Sequence, residues 1–449
     1  MHKPCKSKMQ WLLYFLCIGI ANSQVGTKFF DFWTDLFRPI PRNPKEGFVP
    51  DYTPAGGNEN FFSDVPIFAS FLSTTPMNWG YNSEPEPRAC RDLRGKVCFL
   101  PRGKVLGGSS VLNFLIYQRG HPADYNDWAE MGNDGWSYAE ILPYFKKSEN
   151  IGIPELINST YHGKGGYLNI EYSPYKSPLE TAFRRAGEEL GFEWRDPNGE
   201  HVIGFSKPQA TMRNGRRCST SKAFLEPIRF RKNLKVSKYS TVTKLLIDPT
   251  TKTAYGVEFR KGNVRRTVLA RREVVLAAGS IGSAQLLMLS GVGPAPHLQD
   301  MAIAPLMDLP VGYNLQDHVT FSGNAFIVND SRLVVNDMLA ASPVSAVAYL
   351  SGRGPLTLPG GAAGLAFLRT SRAVADYAPT RPDIELRSFA MNPVLIRPKS
   401  VGRLMLRSAN FSDHPRIQPN YFDHPDDIKA MVEGVRVVRK YTYSIMVKR

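Results

Sequence analysis

The chain has 449 residues, 56 Lys+Arg against 40 Asp+Glu for a net charge of +16, 43% apolar residues, 37 Gly and 34 Pro. That length exceeds what one hydrophobic core usually supports and points to a large α/β domain with a second domain appended or interleaved; ordinary apolar and charged fractions exclude a disordered, collagen-like or small disulfide-scaffold chain. The basic excess comes in short runs such as Arg213/Arg216/Arg217, Arg229/Arg231/Lys232, Arg265/Arg266 and Arg271/Arg272, with no basic helix face, zinc-finger spacing or aromatic RNA-binding motif, so a solvated surface and no nucleic-acid partner are expected.

Residues 1–23 carry Lys3, Lys6 and Lys8, an apolar run Trp11 to Ile20, and the small residues Ala21 and Ser23 at the −3 and −1 positions of a cleavage site. This is the pattern of a secretory signal, and the run is too short to span a bilayer. A secreted, extracellular protein with no membrane association is expected. Export would remove Cys5 and Cys17, leaving Cys90 and Cys98 able to close a short loop and Cys218 as a buried odd thiol; no metal-ligand spacing is present. Asn158, Asn329 and Asn410 head glycosylation sequons compatible with that route.

Residues 24–54 carry Pro39, Pro41, Pro44, Pro50 and Pro54 and read as an extended arm. Loops surround Gly103 to Ser110, followed by the apolar stretch Val111 to Tyr117. Ser137, with Glu140 three residues on, predicts a capped helix, and Pro178 to Leu190 predicts a second. Leu234 to Ile247 and Gly256 to Phe259 alternate as half-buried strands. Val274 to Ala278 is a continuous apolar run predicting a buried parallel strand. Gly279 to Ser283 then reads as a small-residue turn, and Ala284 to Leu289 as a short helix. Strand, Gly/Ser turn and helix N-terminus in that order also suit phosphate binding, although many α/β crossovers use the same residues for packing alone.

Two segments carry a specific resemblance. Gly103-Lys-Val-Leu-Gly107-Gly108-Ser109-Ser110-Val-Leu-Asn113-Phe-Leu-Ile-Tyr117 through Tyr125 is similar to the first signature of the glucose–methanol–choline (GMC) oxidoreductases. Gly279 to Gly293 resembles the second, with Ala284 where the family usually has Pro. Arg217-Cys-Ser219 to Ala223, Val311 to His318 and Arg397 to Gly402 look like further family landmarks in the same order. With the leader and the Cys90/Cys98 pair, the chain is most similar to the secreted animal branch related to glucose dehydrogenase (FAD, quinone).

The resemblance implies an α/β fold: an FAD-binding Rossmann-like domain, with substrate-domain insertions, over 55–320, interleaved with a substrate domain on an antiparallel sheet continuing over 321–440. It implies FAD as cofactor, oxidation of a CH–OH group of an alcohol or sugar, and an electron acceptor. Gly103, Val105, Gly107, Gly108, Ser109, Asn113, Phe114, Leu115 and Ile116 match the family's loop along the pyrophosphate and flavin ring. Glycines there let backbone approach a flat or anionic group, and Ser and Asn supply short donors. Val242 matches the position whose backbone meets the adenine, and Asn314 and Asp317 the segment beside the isoalloxazine. His318 is not the family's catalytic base.

Parts of the family pattern are missing from this sequence. No G-x-G-x-x-G turn occurs, and Pro54 stands where the family's ribose-binding Glu belongs, so the first βαβ of the dinucleotide fold is expected to be absent. A second gap is expected near Phe389. The tail Tyr441 to Arg449 looks unlike the family and fits read-through, ending before the family's catalytic His, so no catalytic residue is named. The expectation is therefore an FAD-dependent GMC-type sequence, internally deleted and truncated as an incomplete gene model would be, and inactive as this chain. The alternative is a non-catalytic secreted protein that keeps the substrate-domain surface for binding.

Overall fold

The computed structural model describes residues 57–322, 335, 337–340, 342–376, 379–387 and 391–447. The expected leader (1–23), the arm (24–54), Pro54, the sequon at Asn329 and Phe389 lie outside them.

In chain order, a hairpin of β1 (Tyr81–Asn82) and β2 (Phe99–Leu100) precedes α1 (Pro122–Glu130) and α2 (Tyr138–Ser148). Strands β3 (Glu149–Ile151) and β4 (Leu168–Tyr172), helix α3 (Pro178–Glu189) and strands β5 (Gly204–Ser206), β6 (Gln209–Arg213) and β7 (Arg216–Arg217) follow. A meander of β8 (Ser240–Ile247), β9 (Ala254–Lys261) and β10 (Val264–Leu269) leads to α4 (Gly279–Leu289), β11 (Val292–Gly293) and β12 (Met307–Asp308). The last third holds β13 (Val319–Thr320), α5 (Pro343–Leu350), β14 (Leu365–Leu368), β15 (Ile384–Arg387), β16 (Asn392–Leu395), β17 (Arg403–Met405), β18 (Arg416–Gln418) and α6 (Pro425–Val447).

The helix starts follow from local chemistry. Ser137 and Glu140 form the predicted capping box on α2, with Ser137 N–H and Oγ both donating to Glu140 Oε2 (3.1 and 2.6 Å). On α1 it is His121 that caps, its Nδ1 accepting from Ala123 N–H while Asp124 reaches back to the His121 N–H.

Strands β13-β16-β15-β14-β5 make the largest sheet, antiparallel throughout, as the resemblance implies. Helices α3 and α6 cover it, and the apolar side chains they share with the sheet form one core: Phe183, Phe205, Ile384, Leu386, Val438 and Tyr441. The two sides of the expected gap near Phe389 are hairpin neighbours, Arg387 standing opposite Asn392. A second core joins α4 to β1, β2, β17 and β18 through Ile281, Met288, Leu100, Leu404 and Ile417. A four-stranded sheet, β3-β4-β6-β7, is built from strands within residues 149–217.

Four expectations need correction. Val274–Ala278 is not a buried parallel strand. Residues 274–278 form no strand and Val275 is 79% exposed. An apolar run becomes a buried strand only when neighbours cover both faces, and among the described residues no strand lies beside it. Helix α4 starts at Gly279, so the expected Gly/Ser turn is its first turn. Strand β8 starts at Ser240 and not Leu234. Finally, Tyr441 is no foreign tail: it is fully buried in the main core.

Candidate functional site

The loop from Gly103 to Ile116 is built by close backbone approaches. Gly107 (φ 89°) and Gly108 (φ 53°) take left-handed conformations that let the chain turn into a single 3₁₀ turn, Gly108–Val111. Gly103 packs so tightly against this turn that a Cβ there would strike the Gly108 carbonyl. Val105 bridges Gly57, and Leu106 N–H donates to the Gly57 carbonyl (3.0 Å). On the other side nothing lies within 4 Å of where a Gly108 Cβ would be, and Ser109 and Asn113 are exposed beside it. The result is a bare backbone shelf edged by a hydroxyl and an amide.

Arg217 holds this shelf from below. Its guanidinium is buried and donates to the Ser63 carbonyl (2.7 Å), the Ser110 carbonyl (2.9 Å) and Asn113 Oδ1 (2.8 Å). Burial brings its pKa down to about 10, and Glu59 and Asp64 work against that fall. Asn113 Oδ1 also accepts from Leu115 N–H, which stabilises Leu115 at φ 61°. Leu115 is buried, Phe114 is half-exposed against Gly360, and Ile116 bridges Ala210.

Two cavities flank the segment 312–318. One, of about 270 Å³, is lined by Arg102, Ser280, Ala284, Tyr313, Asn314 and Asp317, among others. It thus brings the approach to the Gly103 loop, the first turn of α4 and two expected site residues together. Asn314 takes φ 57°, and Asp317 accepts from the Tyr421 hydroxyl (2.7 Å). Val242 lies on β8 and does not line it.

The other cavity, of about 410 Å³, lies between α1 and the large sheet, with Trp128 and Phe367 as apolar walls and His121, Asp124, His318 and Arg397 among its polar ones. Neighbouring Asp317 and His318 therefore serve different cavities. Arg381 and Arg397 both bind Asp124, and Arg381 also binds Asp127 (2.7 Å). Burial pushes the Asp124 carboxyl up, but Arg397, the His121 N–H and Arg381 outweigh it and hold the pKa below the usual range. Sequence reading missed this cluster: the available signal was Asp124 within the first signature, but its partners lie more than 250 residues away.

Comparison with known proteins places the chain. The family model described as GMC oxidoreductase matches residues 49–320, and a second model of the same description matches 398–447. The chain is 40% identical over 425 residues to a glucose dehydrogenase [FAD, quinone] of Drosophila melanogaster, covering 88% of this chain and 66% of that one. It is 39% identical to the Drosophila pseudoobscura pseudoobscura protein of the same name (85% and 64%). It is 36% identical to an oxygen-dependent choline dehydrogenase of Brucella melitensis (84% and 69%). Among solved structures, pyridoxine 4-oxidase from Mesorbium loti superposes with a TM-score of 0.74 at 26% identity, covering 87% of this chain and 74% of that one. The chain belongs to the GMC oxidoreductase family. It spans about two thirds of the length of the Drosophila relatives. The second match runs through 447, so the segment after Lys440 is part of the family pattern.

FAD is the cofactor this family indicates. The described residues fit it on one side only. The Gly108 shelf, with Ser109 and Asn113, offers the bare backbone and short polar groups a flat ring system needs. Among the described residues no phosphate side is built: the sequence has no G-x-G-x-x-G turn, and the apolar run before α4 stands without a sheet there.

Proposed function

We propose that this chain carries the flavin-ring side and the donor-binding side of an FAD-dependent oxidoreductase acting on a CH–OH group of an alcohol or sugar, with a separate electron acceptor. The Gly108 shelf carries this reading: Gly103, Val105, Gly107, Gly108, Ser109, Asn113, Phe114 and Ile116 would lie along the ring system with the buried Leu115 supporting them from behind, Asn314 and Asp317 would line its far edge, and Val242 would lie toward the adenine. The 410 Å³ cavity suits a polyhydroxyl donor, because Asp124 and the two arginines are fixed by one another and Trp128 offers an apolar face. We further propose that FAD binds this sequence weakly, because the phosphate side is unbuilt, and that turnover is lost with it. That same feature favours a second reading, a protein that binds the donor without oxidising it.

Secretion and glycosylation belong to the proposal. Asn158 and Asn410 are exposed, and expression through a secretory pathway should yield protein that shortens on glycosidase treatment.

The test is FAD titration of the purified chain, calorimetry with glucose and simple alcohols, and donor-dependent reduction of a quinone dye. Weak flavin binding, measurable donor binding and no dye reduction are expected. Stoichiometric flavin in the purified chain overturns the weak-binding reading. Absence of donor binding overturns the cavity assignment.

A further inference from the structure

The net charge of +16 is not spread over the molecule. Residues 229–272 contain 13 of the 56 Lys+Arg and 2 of the 40 Asp+Glu, a net +11 in 44 residues. In sequence these cations look scattered. The antiparallel register of the meander gathers five of them at one end.

Three successive rungs make that end. Ser240, Lys261 and Val264 form the outermost, Thr241, Arg260 and Arg265 the next, and Val242, Phe259 and Arg266 the third. Lys238 stands two residues before the first rung. Neighbouring strands lie about 4.8 Å apart and successive side chains alternate faces, so Arg260 and Arg265 stand together on one face of this end and Lys261 and Arg266 on the other, a patch that wraps around the tip of the sheet with Lys238 beside it. Arg260 and Arg265 are directly opposed, a like-charge pairing that costs stability in a sheet.

Among the described residues little neutralises the patch. Glu258 lies 3.6 Å from Arg265, whose side chain remains 74% exposed. Lys238 donates to the Asn58 amide oxygen and Arg260 lies over the Phe411 ring, neither of which carries charge. Lys261, Arg265 and Arg266 are exposed. The opposite end of the meander is different: Lys252 lies in the β8–β9 turn and Arg271 and Arg272 follow the end of β10, so none of the three sits on a paired rung.

We propose that the β9–β10 end of the meander is a docking surface for an extended polyanion, and that its occupant is a sulfated polysaccharide. The opposed Arg260 and Arg265 forks on one face, with Lys261 and Arg266 on the other, match the oxygens of sulfate groups, which accept paired hydrogen bonds, and β10 is an edge strand along which a chain with sulfates on both sides can lie. The patch lacks the features other polyanions require. Phe259 is not exposed and Tyr239, exposed beside Lys238, is a single ring, so no row of aromatics serves to stack successive bases. Val264 is the one large apolar side chain exposed among these rungs, too little to insert into a lipid surface.

The experiment uses the full chain, heparin as probe, and two charge-matched triple variants. Wild type should leave a heparin column at markedly higher salt than a sulfonate cation exchanger. Lys261→Ala/Arg265→Ala/Arg266→Ala should bind a labelled heparin oligosaccharide at least about tenfold more weakly and with a shallower salt dependence. Lys252→Ala/Arg271→Ala/Arg272→Ala, with the same loss of charge, should bind like wild type. Equal weakening by both triples would reduce the effect to net charge and overturn the proposal. Tighter binding to DNA or to vesicles of anionic phospholipid than to heparin would overturn the choice of occupant.

Discussion

Tyr441 of α6 lies flat on Phe205 of β5, ring centroids 5.2 Å apart and planes inclined by 13°. Phe183 of α3 closes the cluster at 5.3 Å from Tyr441, and the Tyr441 hydroxyl donates to the Phe183 carbonyl. One side chain near the end of the sequence thus joins both covering helices to the large sheet. Tyr441→Ala is expected to cost about 3–5 kcal/mol, the range for removing a large aromatic from a packed core. Tyr441→Phe keeps the stack and loses one hydrogen bond, about 1 kcal/mol. Urea denaturation of the two variants measures both, and near-equal midpoints would show that the ring packing contributes little.

Arg217 ties two separate stretches, Ser63 and the loop at Ser110 and Asn113, with one guanidinium. Arg217→Met would leave those oxygens without their donor in a buried place, an expected loss of about 3–5 kcal/mol. Arg217→Lys places a single ammonium there and should recover only part of it. Hydrogen exchange locates the effect: amides of residues 108–115 should exchange faster in both variants, while those of the large sheet keep their protection.

The Cys90–Cys98 bond closes a loop of sequence separation 8 against the buried Tyr421. The entropy of closing so short a loop is worth about 2–3 kcal/mol. Reduction should lower the denaturation midpoint accordingly, and Cys90→Ala/Cys98→Ala should be insensitive to reductant. Cys218 is buried and should stay unreactive toward thiol reagents until the chain unfolds.

What could be read from the sequence is what short-range chemistry decides. Gly107 and Gly108 announce a turn with positive φ, and Ser137 with Glu140 announces a helix start, because the partners lie within a few residues. The antiparallel sheet and the mixed α/β class followed from the family resemblance. Misread features depend on distant partners. Val274–Ala278 has the composition of a buried strand, but burial is a property of neighbours, and none is described beside it. Tyr441 looked foreign because nothing local to it predicts Phe205, 236 residues earlier. The gathering of Arg260 and Arg265 needs the register of β9 on β10, which composition does not encode. The Asp124 cluster was missed for the same reason.

Distant partners also set the pH response. Both ring nitrogens of the buried His162 face carboxylates, Nδ1 at 3.0 Å from Glu149 and Nε2 at 2.9 Å from Asp196. Arg119 holds the other Glu149 oxygen (2.6 Å), and Gln209 donates to the other Asp196 oxygen (2.7 Å). Burial alone would lower the His162 pKa, but the hydrogen bonds to Asp196 and Glu149 outweigh it and raise the pKa to about 9. An unfolded histidine titrates near 6.5, so the charged ring contributes fully below that pH, and its contribution declines from there to about 9 and is gone above. The rise corresponds to roughly 3–4 kcal/mol. For Asp196, burial acts upward, but the His162 bond and the Asn198 N–H hold its pKa below the ordinary value. Its contribution is present above the unfolded carboxylate pKa and is lost as pH falls through the folded one. Stability should therefore be greatest in mildly acidic solution and decline on both sides. His162→Gln can donate through only one end, so it should lower the maximum and flatten the alkaline limb between pH 6.5 and 9. Denaturation free energies measured across that range decide the matter: an unchanged alkaline slope in the variant would mean that His162 is neutral in the folded chain.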